Sequence, residues 1–409
     1  MTAVSTVVCG AGIAGVSACY FLSVVRGVED VVIVDPRPPL TLTSDKSTEC
    51  YRNWWPSPPM VGFMDRSIDL LEGLAEQSDN AFHLSRRGYL YLHGIDGGRD
   101  TEGAEAISGS ELADAYPYLT SEAKRAVRVP RAGWFSAQQL GAWMLDRARD
   151  HGARLVRNRV VAVSTSDSHV TGVDLEDGTA IPAPIFINAA GPMLAQVGGM
   201  AGADLPVRNE LHLKAAFKDT LHAIPRDAPM LIWADAQRLD LSDQERALCL
   251  AVGRDDLLEE LPAGCHCRPE GGVDSEWVLG LWEYRRRSME PVWPLPIDPM
   301  YVQTVLRGLT TMIPALAAYE TEPPESVVDG GYYTKTTDNM ALIGHSGVEG
   351  AFVCGGLSGY GVMAACAAGE LAALHATQGA LPDYAAAFDP SRYEDPFYAD
   401  SAASDTGQL

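Results

Sequence analysis

The sequence predicts an α/β chain in which a doubly wound nucleotide-binding domain is interleaved with an α+β domain carrying a mixed or antiparallel sheet. Three observations carry this. An apolar β-rich run at residues 4–9, a helical stretch at 13–24 and a β-branched run at 30–34 give strand, helix and strand in quick succession. Residues 351–374 lay down a second glycine-rich strand, turn and helix. Between them, residues 211–284 alternate apolar and polar positions in several runs, such as 277–282, as the strands of a separate sheet do.

The remaining elements follow in order. Residues 36–59 form a long loop rich in Pro, Ser and Thr, of the kind that carries function in a compact domain, and a helix follows at 65–77. Residues 87–130 mix short strand-like and helix-like pieces. An amphipathic helix at 137–151 precedes a strand at 154–164. A meander of 170–175, the Asp177-Gly178 turn and 183–188 ends in Asn188-Ala189-Ala190-Gly191-Pro192, whose small residues let another group approach the backbone. Residues 300–316 read as a helix, and the tail beyond 396 is small and polar. Nucleotide-type elements therefore lie at both ends and in the middle. The expected division is 1–45, 145–210 and 326–390 for the nucleotide domain, 46–144 and 211–325 for the second domain, and 391–409 for the tail.

At 409 residues the chain has room for two or three domains of roughly 150 residues each. Lys and Arg number 31 against 54 Asp and Glu, a formal charge of −23, and so acidic a surface repels phosphate backbones and acidic membranes. Nucleic acid and membrane are not expected partners. The eight cysteines are scattered and several fall in apolar runs, where a reduced thiol packs as a small hydrophobe, so a cytoplasmic location is expected. Residues 1–12 lack the positive start of a signal peptide, and the apolar stretch 353–374 is glycine-rich and carries Glu370, which suits a buried loop and helix better than a membrane span.

Gly10-Ala11-Gly12-Ile13-Ala14-Gly15 is GxGxxG in its proper setting, after a strand and opening a helix, with Asp35 twenty residues beyond Gly15 at the end of the next strand. Gly10 permits the tight turn, Gly12 lets the backbone reach a pyrophosphate and Gly15 allows close packing of helix on strand. The helix N-terminus offers unpaired N–H groups, and Asp35 accepts from ribose hydroxyls. NAD and FAD both remain open at this point. The second loop, Cys354-Gly355-Gly356-Leu357-Ser358-Gly359-Tyr360-Gly361-Val362-Met363, decides for a flavin, whose reduced ring carries negative charge that a helix N-terminus stabilises.

With Asp35, the central Ile187–Pro192 segment, Tyr332–Gly344 and Gly355–Ala373, the chain resembles the FAD-dependent D-amino acid oxidase, glycine oxidase and sarcosine oxidase superfamily over residues 4–388. The resemblance implies a Rossmann-like FAD-binding domain assembled from separated segments, and an α+β substrate domain whose sheet covers the flavin. It implies a cofactor-binding set of Gly10, Gly12, Ile13, Ala14, Gly15, Asp35, Arg37, Val161, Ala190, Gly191 and the run Gly356, Leu357, Ser358, Gly359, Tyr360, Gly361, Val362 and Met363. Val161 would hold the adenine end through its backbone. Monomeric sarcosine oxidases carry a flavin-linked cysteine where this chain has Gly331, so FAD is expected to be noncovalent. Those enzymes place a carboxylate-gripping lysine where Met363 stands, and glycine oxidases an arginine where Tyr332 stands, so a carboxylate clamp here must be differently built.

The clamp expected is Arg52, because the family's corresponding loop brings an arginine over the flavin and a guanidinium matches a carboxylate bidentately. Tyr332, Tyr333 and Tyr360 join it as candidate catalytic residues, since a phenol orients an amine or carboxylate. Trp54 and Trp55 either wall a pocket or anchor the loop. His266, within Cys265-His266-Cys267, and Lys335 are further pocket candidates. The Cys-His-Cys run reads as a strand edge rather than a metal site, Lys335 as a solvated lysine, and Arg285-Arg286-Arg287 as a solvated basic patch. The expected reaction is oxidation of a C–N bond of an amino acid or related amine to an imine, with O2 or another electron acceptor. Positioning and desolvation then carry the catalysis. The alternatives are a flavin-dependent tailoring desaturase and a flavin-binding subunit of a larger complex.

Overall fold

The computed structural model describes residues 5–95, 103–395 and 398. A six-stranded sheet runs in the order Leu342–His345, Ala351–Gly355, Ile185–Asn188, Thr6–Cys9, Val31–Val34, Arg154–Val156. Its strands are parallel except for Leu342–His345. The N-terminal strand thus sits between Val31–Val34 and the mid-chain strand Ile185–Asn188, with the strands from the end of the chain beyond the latter. The runs TVVC and VVIV are apolar without alternation because both faces of the sheet are covered. On one face lie the first helix, Ile13–Tyr20, the last helix, Gly361–Ala376, and the helices Pro58–Gln77 and Ala137–Asp150. A three-stranded antiparallel sheet, Ala180–Pro182, His169–Leu175 and Val160–Ser166, covers the other.

The first and last helices approach closely because small residues line their contact. A Cβ on Gly369 would stand 2.2 Å from Ser17 Oγ and 2.5 Å from the Ser17 carbonyl carbon. A Cβ on Gly15 would lie 1.9 Å from Gly10 O, so this glycine sets how near the first helix comes to its own strand.

The second sheet has eight strands in the order Ser326–Thr336, Val207–Lys218, Trp277–Leu281, Cys265–Pro269, Met230–Trp233, Tyr89–His93, Arg125–Val129, Glu105–Ser108. It is mixed, antiparallel throughout except between Met230–Trp233 and Tyr89–His93. Helices Asp243–Ala251 and Tyr301–Thr310 pack with it in a second core around Trp282, Leu309 and Met312. The long pair Val207–Lys218 and Ser326–Thr336 keeps register from Val207↔Thr336 to Phe217↔Ser326.

Several boundaries differ from those the sequence predicts. The helix expected at 65–77 starts at Pro58, since prolines fit a first turn whose N–H groups have no intrahelical partner. The strand expected at 154–164 is two strands in different sheets, and 183–188 does not continue the meander: Ala180–Pro182 pairs with His169–Leu175, and beyond Pro184 the chain crosses to the six-stranded sheet. The capping box of Ser242 and Glu245 starts a helix inside the stretch expected to be sheet. The helix expected at 300–316 ends at Thr310, ahead of Pro314. The loop 36–59 contains the strand Cys50–Arg52, paired with Ala132–Trp134. Cys265–Pro269 is interior to its sheet, not an edge, with partners on both sides. Helix Pro58–Gln77 falls in the stretch assigned to the second domain, yet its apolar face packs on the last helix. Most of the tail beyond 396 lies outside the described residues. Among the described residues no helix is long and apolar enough to cross a membrane.

Gly369→Ala is expected to destabilise the protein by about 2 kcal/mol or more, because the new methyl meets the backbone of Ser17 and Ala18 as well as the Ser17 hydroxyl. Gly199→Ala, in a helix with open space around it, is expected to be neutral or slightly stabilising. Thermal melting of the two variants checks the contrast.

Candidate active site

At the C-terminal end of the central strand, Gly10 has φ +108 and its N–H donates to Val34 O at 2.9 Å. A Cβ there would lie 2.3 Å from Ala189 O, so Gly10 lets the first turn close on the Ala189–Ala190–Gly191 turn. The first helix opens at Gly12, which has no side chain to cap it, and Ser44 Oγ accepts from Ile13 N at 2.9 Å from 31 residues away. Asp35 Oδ2 accepts from Ala11 N and Oδ1 from Arg37 N, both at 2.8 Å. The Arg37 guanidinium lies 4.9 Å from the centre of the Trp293 ring. Val161 is 43% exposed, on a strand of the three-stranded sheet.

One cleft brings remote segments together: Gly12, Ile13 and Ala14 from the first turn, Gly191 from the middle one, and Gly355 to Gly359 with Gly361 and Val362 from the last loop. Tyr332, Tyr333, Thr43, Ser44 and Ser47 complete its walls. Gly356, at φ +62, and Ser358, at φ +49, bend the last loop around it. That loop is anchored from outside. Ser358 Oγ donates to Asn339 Oδ1, and Tyr360 OH donates to Asn339 O at 2.8 Å. The neighbouring Asp338 carboxylate accepts from Arg392 Nε at 2.8 Å, Tyr393 OH at 2.7 Å, Tyr398 OH at 2.8 Å and Met340 N at 3.0 Å. Burial opposes its charge, but Arg392 and the other donors outweigh that and lower its pKa to about 2.

A smaller cavity adjoins the cleft and shares Ser47, Tyr333, Gly359 and Val362 with it. Arg52, Trp55, His266, Glu283, Tyr360 and Met363 also line it. Arg52 is 4% exposed; it donates to Trp54 O, and its guanidinium lies 4.0 Å from the centre of the Trp55 ring. Trp55 Nε1 donates back to Arg52 O at 3.1 Å. Trp54 packs instead on Tyr91 in a separate apolar cluster, so of the two tryptophans one walls the cavity and the other anchors the loop. His266 is buried, with Nδ1 2.7 Å from Gly264 O, and burial pushes its pKa down, so the ring is neutral. Burial raises the phenols of Tyr333 and Tyr360, leaving both protonated.

Two candidates stand elsewhere. Tyr332 OH both accepts from Val292 N at 2.9 Å and donates to Val292 O at 3.0 Å, which fixes it in the wall of the cleft. Lys335 is not solvated. It is 5% exposed and pairs with Glu210 at 2.8 Å, part of a buried cluster with His212 and Glu283 that burial would forbid to any one of the charges alone. Arg285 and Arg286 are exposed but paired, with Asp256 and Glu283 respectively. Among the described residues no group of three or more His, Cys, Asp or Glu side chains is arranged to hold a metal ion. Sequence reasoning missed Ser44, Asp338, Asn339 and Glu283. Only Glu283 left a signal, an acidic residue closing the apolar run Trp277–Trp282.

A match to the family described as FAD dependent oxidoreductase runs over residues 5–374, taking in both glycine loops and the middle turn. The chain belongs to this family. It is 27% identical to the sarcosine oxidase subunit beta of Rhodobacter capsulatus over 224 residues, which are 50% of this chain and 53% of that one; the chain thus spans about half the length of the curated relatives it matches. The L-proline dehydrogenase of P. horikoshii superimposes with a TM-score of 0.76 at 22% identity, covering 96% of this chain and 98% of that one. The glycine oxidase of Bacillus cereus does so with 0.73 at 15%, covering 93% and 99%. Both likenesses are of fold. The cofactor is FAD. The residues present fit it: Gly10, where a Cβ would meet the Ala189 backbone, lets the first turn close on the Ala189 side of the cleft, the first helix presents N–H groups without intrahelical partners, and the last loop curves along the same cleft.

Asp338→Asn is expected to leave Arg392 with an unpaired buried charge, at a cost of about 3 kcal/mol, and to loosen the last glycine loop. The folded pKa lies below the unfolded value near 3.8, so the wild type keeps this stabilisation above about pH 4 and loses it as pH falls toward 2. Melting temperature against pH, with the FAD released on gel filtration, checks both: the Asn variant should lose FAD at neutral pH and show the shallower acid slope.

Proposed function

We propose that this protein oxidises the C–N bond of a small amino acid bearing a free carboxylate, giving an imine that hydrolyses or cyclises, with O2 or another acceptor taking the electrons. The observation that carries the reading is a buried arginine, backed by a tryptophan face, in a small cavity that opens on the cofactor cleft. A guanidinium in a dry site pairs a carboxylate through two parallel hydrogen bonds, and Trp55 and the Trp54 carbonyl hold Arg52 in one orientation for that task. The names of the similar proteins, which act on sarcosine, L-proline and glycine, support the same substrate class.

FAD, when bound, supplies two-electron oxidation of the substrate. The chain's own residues bind, orient and dehydrate. Arg52 fixes the carboxylate end, Tyr360 and Met363 exclude water, and Tyr333 separates the cavity from the cleft. The cofactor is held without a covalent bond, since Gly331 stands against Thr43 and Lys46 and offers no nucleophile. Gly10, Gly12, Ile13, Ala14, Gly15 and Asp35 hold its diphosphate and ribose, and the Gly356–Met363 run its ring. In this reading 1–45, 145–210 and 326–390 form the cofactor domain and 46–144 with 211–325 the substrate domain, apart from helix Pro58–Gln77, which packs on the last helix. A second reading, a flavin-bearing subunit of a larger assembly, is favoured by the subunit name of the Rhodobacter relative. Turnover by the purified lone chain on gel filtration would exclude it.

Anaerobic mixing of the yellow protein with D- and L-amino acids and N-methyl amines should bleach the visible flavin band with at least one small amino acid. Arg52→Ala should lower the efficiency of reduction by carboxylate substrates by about 100-fold and that by uncharged amines far less. Equal losses for both classes would remove Arg52 from the clamp.

A further inference from the structure

The cavity that contains Arg52 has a second charged wall. Glu283 lines it, two residues beyond the strand Trp277–Leu281, with its side chain 9% exposed. Three side chains behind it fix its place. His212 Nδ1 lies 3.2 Å from Glu283 Oε1, and His212 Nε2 lies 3.5 Å from Glu210 Oε2. Lys335 Nζ lies 2.8 Å from Glu210 Oε2 and 3.9 Å from Glu283 Oε2. The His212 ring stacks on Tyr333 with centres 4.1 Å apart, so the cluster is keyed to the residue shared by cavity and cleft.

Counting charges shows what the cluster does. Burial opposes a charged His212 ring, but Glu283 and Glu210 outweigh it and hold its pKa up. Burial likewise opposes an ionised Glu283, yet His212 and then Lys335 hold its pKa down. Glu210 and Glu283 thus face the buried cations His212 and Lys335, with Arg208 on Glu210 at 3.2 Å and Arg286 beside Glu283 as further positive neighbours. Within it Glu283 Oε2 is buried and accepts no hydrogen bond; its cationic neighbours, Lys335 and Arg286, stand off at 3.9 and 3.8 Å. A buried carboxylate oxygen with an unused acceptor, on a residue that lines the cavity, is costly unless a donor reaches it.

We propose that Glu283 is the subsite for the substrate's nitrogen, accepting a hydrogen bond from its cationic N–H, while Arg52 takes the carboxylate. This rests on the amino-acid reading above. A guanidinium and a carboxylate lining one small cavity favour a zwitterion over a simple amine or a simple acid, since each charged end of the zwitterion meets a group of opposite sign. The same carboxylate favours the nitrogen of the product. The bound ammonium first releases one N–H proton to solvent, which frees the nitrogen lone pair; when the C–H bond then breaks and its electron pair leaves to the oxidant, that lone pair forms the C=N bond and nitrogen again carries positive charge. His212 acts through Glu283, as a positioning residue.

The test uses the FAD-loaded protein under anaerobic conditions and three matched pairs in which CH2 replaces the nitrogen: glycine with propionate, sarcosine with butyrate, and L-proline with cyclopentanecarboxylate. Dissociation constants come from the flavin spectral change, or from the saturation of the bleaching rate, which separates binding from the chemical step. In Glu283→Gln the amino acid of the tightest-binding pair should bind about 10- to 100-fold more weakly, with its carboxylic acid unchanged within about 3-fold. If the Gln variant does not fold with FAD, Glu283→Asp, which keeps the charge but withdraws it, should show the same selective loss in smaller degree. Equal weakening of both members of a pair, or of neither, would overturn the assignment while leaving the amino-acid reading intact. A wild-type protein that binds none of the six would overturn both.

Discussion

The structure depends on how closely the first helix can lie to its surroundings. Gly15 sits against the Gly10 carbonyl, Gly10 against the Ala189 carbonyl, and Gly369 against the backbone of Ser17, each at a distance that no side chain would tolerate. These contacts bind the N-terminal, central and C-terminal segments into one layer. The cleft is the gap left where the three turns meet, at the C-terminal ends of the parallel strands, where open α/β sheets bind ligands.

Around that gap, rigidity comes from buried ionic and polar ties rather than from more apolar area. The loop carrying Arg52 is held by Arg268, which donates to Thr48 O at 2.6 Å, and by Glu49, which accepts from Ala137 N at 2.7 Å. The last glycine loop is held through Asn339 next to the Asp338–Arg392 pair. The strands Val207–Lys218 and Ser326–Thr336 carry Glu210, His212 and Lys335 of the buried charge cluster up to Tyr333. Each tie costs desolvation and restores it only when every partner is in place, so the walls of the cavity have one low-energy arrangement instead of several.

The substrate region was less legible than the cofactor region, for reasons visible in single residues. Gly10, Gly12, Gly15 and Asp35 do their work within one strand–turn–helix unit, so their spacing carries the information. Ser44 caps a helix 31 residues upstream, and Glu283 meets His212 and Lys335 across sheet partners that no local pattern pairs. Lys335 looks solvated in sequence because lysine usually is; only the register of Ser326–Thr336 against Val207–Lys218, which sets Arg208 opposite Lys335 and Glu210 opposite Tyr333, brings it to Glu210. The Tyr332–Tyr333 pair looked equivalent in sequence, but the Val292 backbone takes up one hydroxyl and His212 backs the other ring.

By itself, then, the sequence determined the α/β class, the glycine turns and the family to which the chain belongs, because hydrophobic period and conformational freedom at glycine act over a few neighbouring residues. Which charges face the cavity, and which tyrosine or tryptophan lines it, was decided by tertiary structure alone. Those contacts join residues tens to hundreds of positions apart, and a buried charge takes its meaning from the partner that strand register sets beside it.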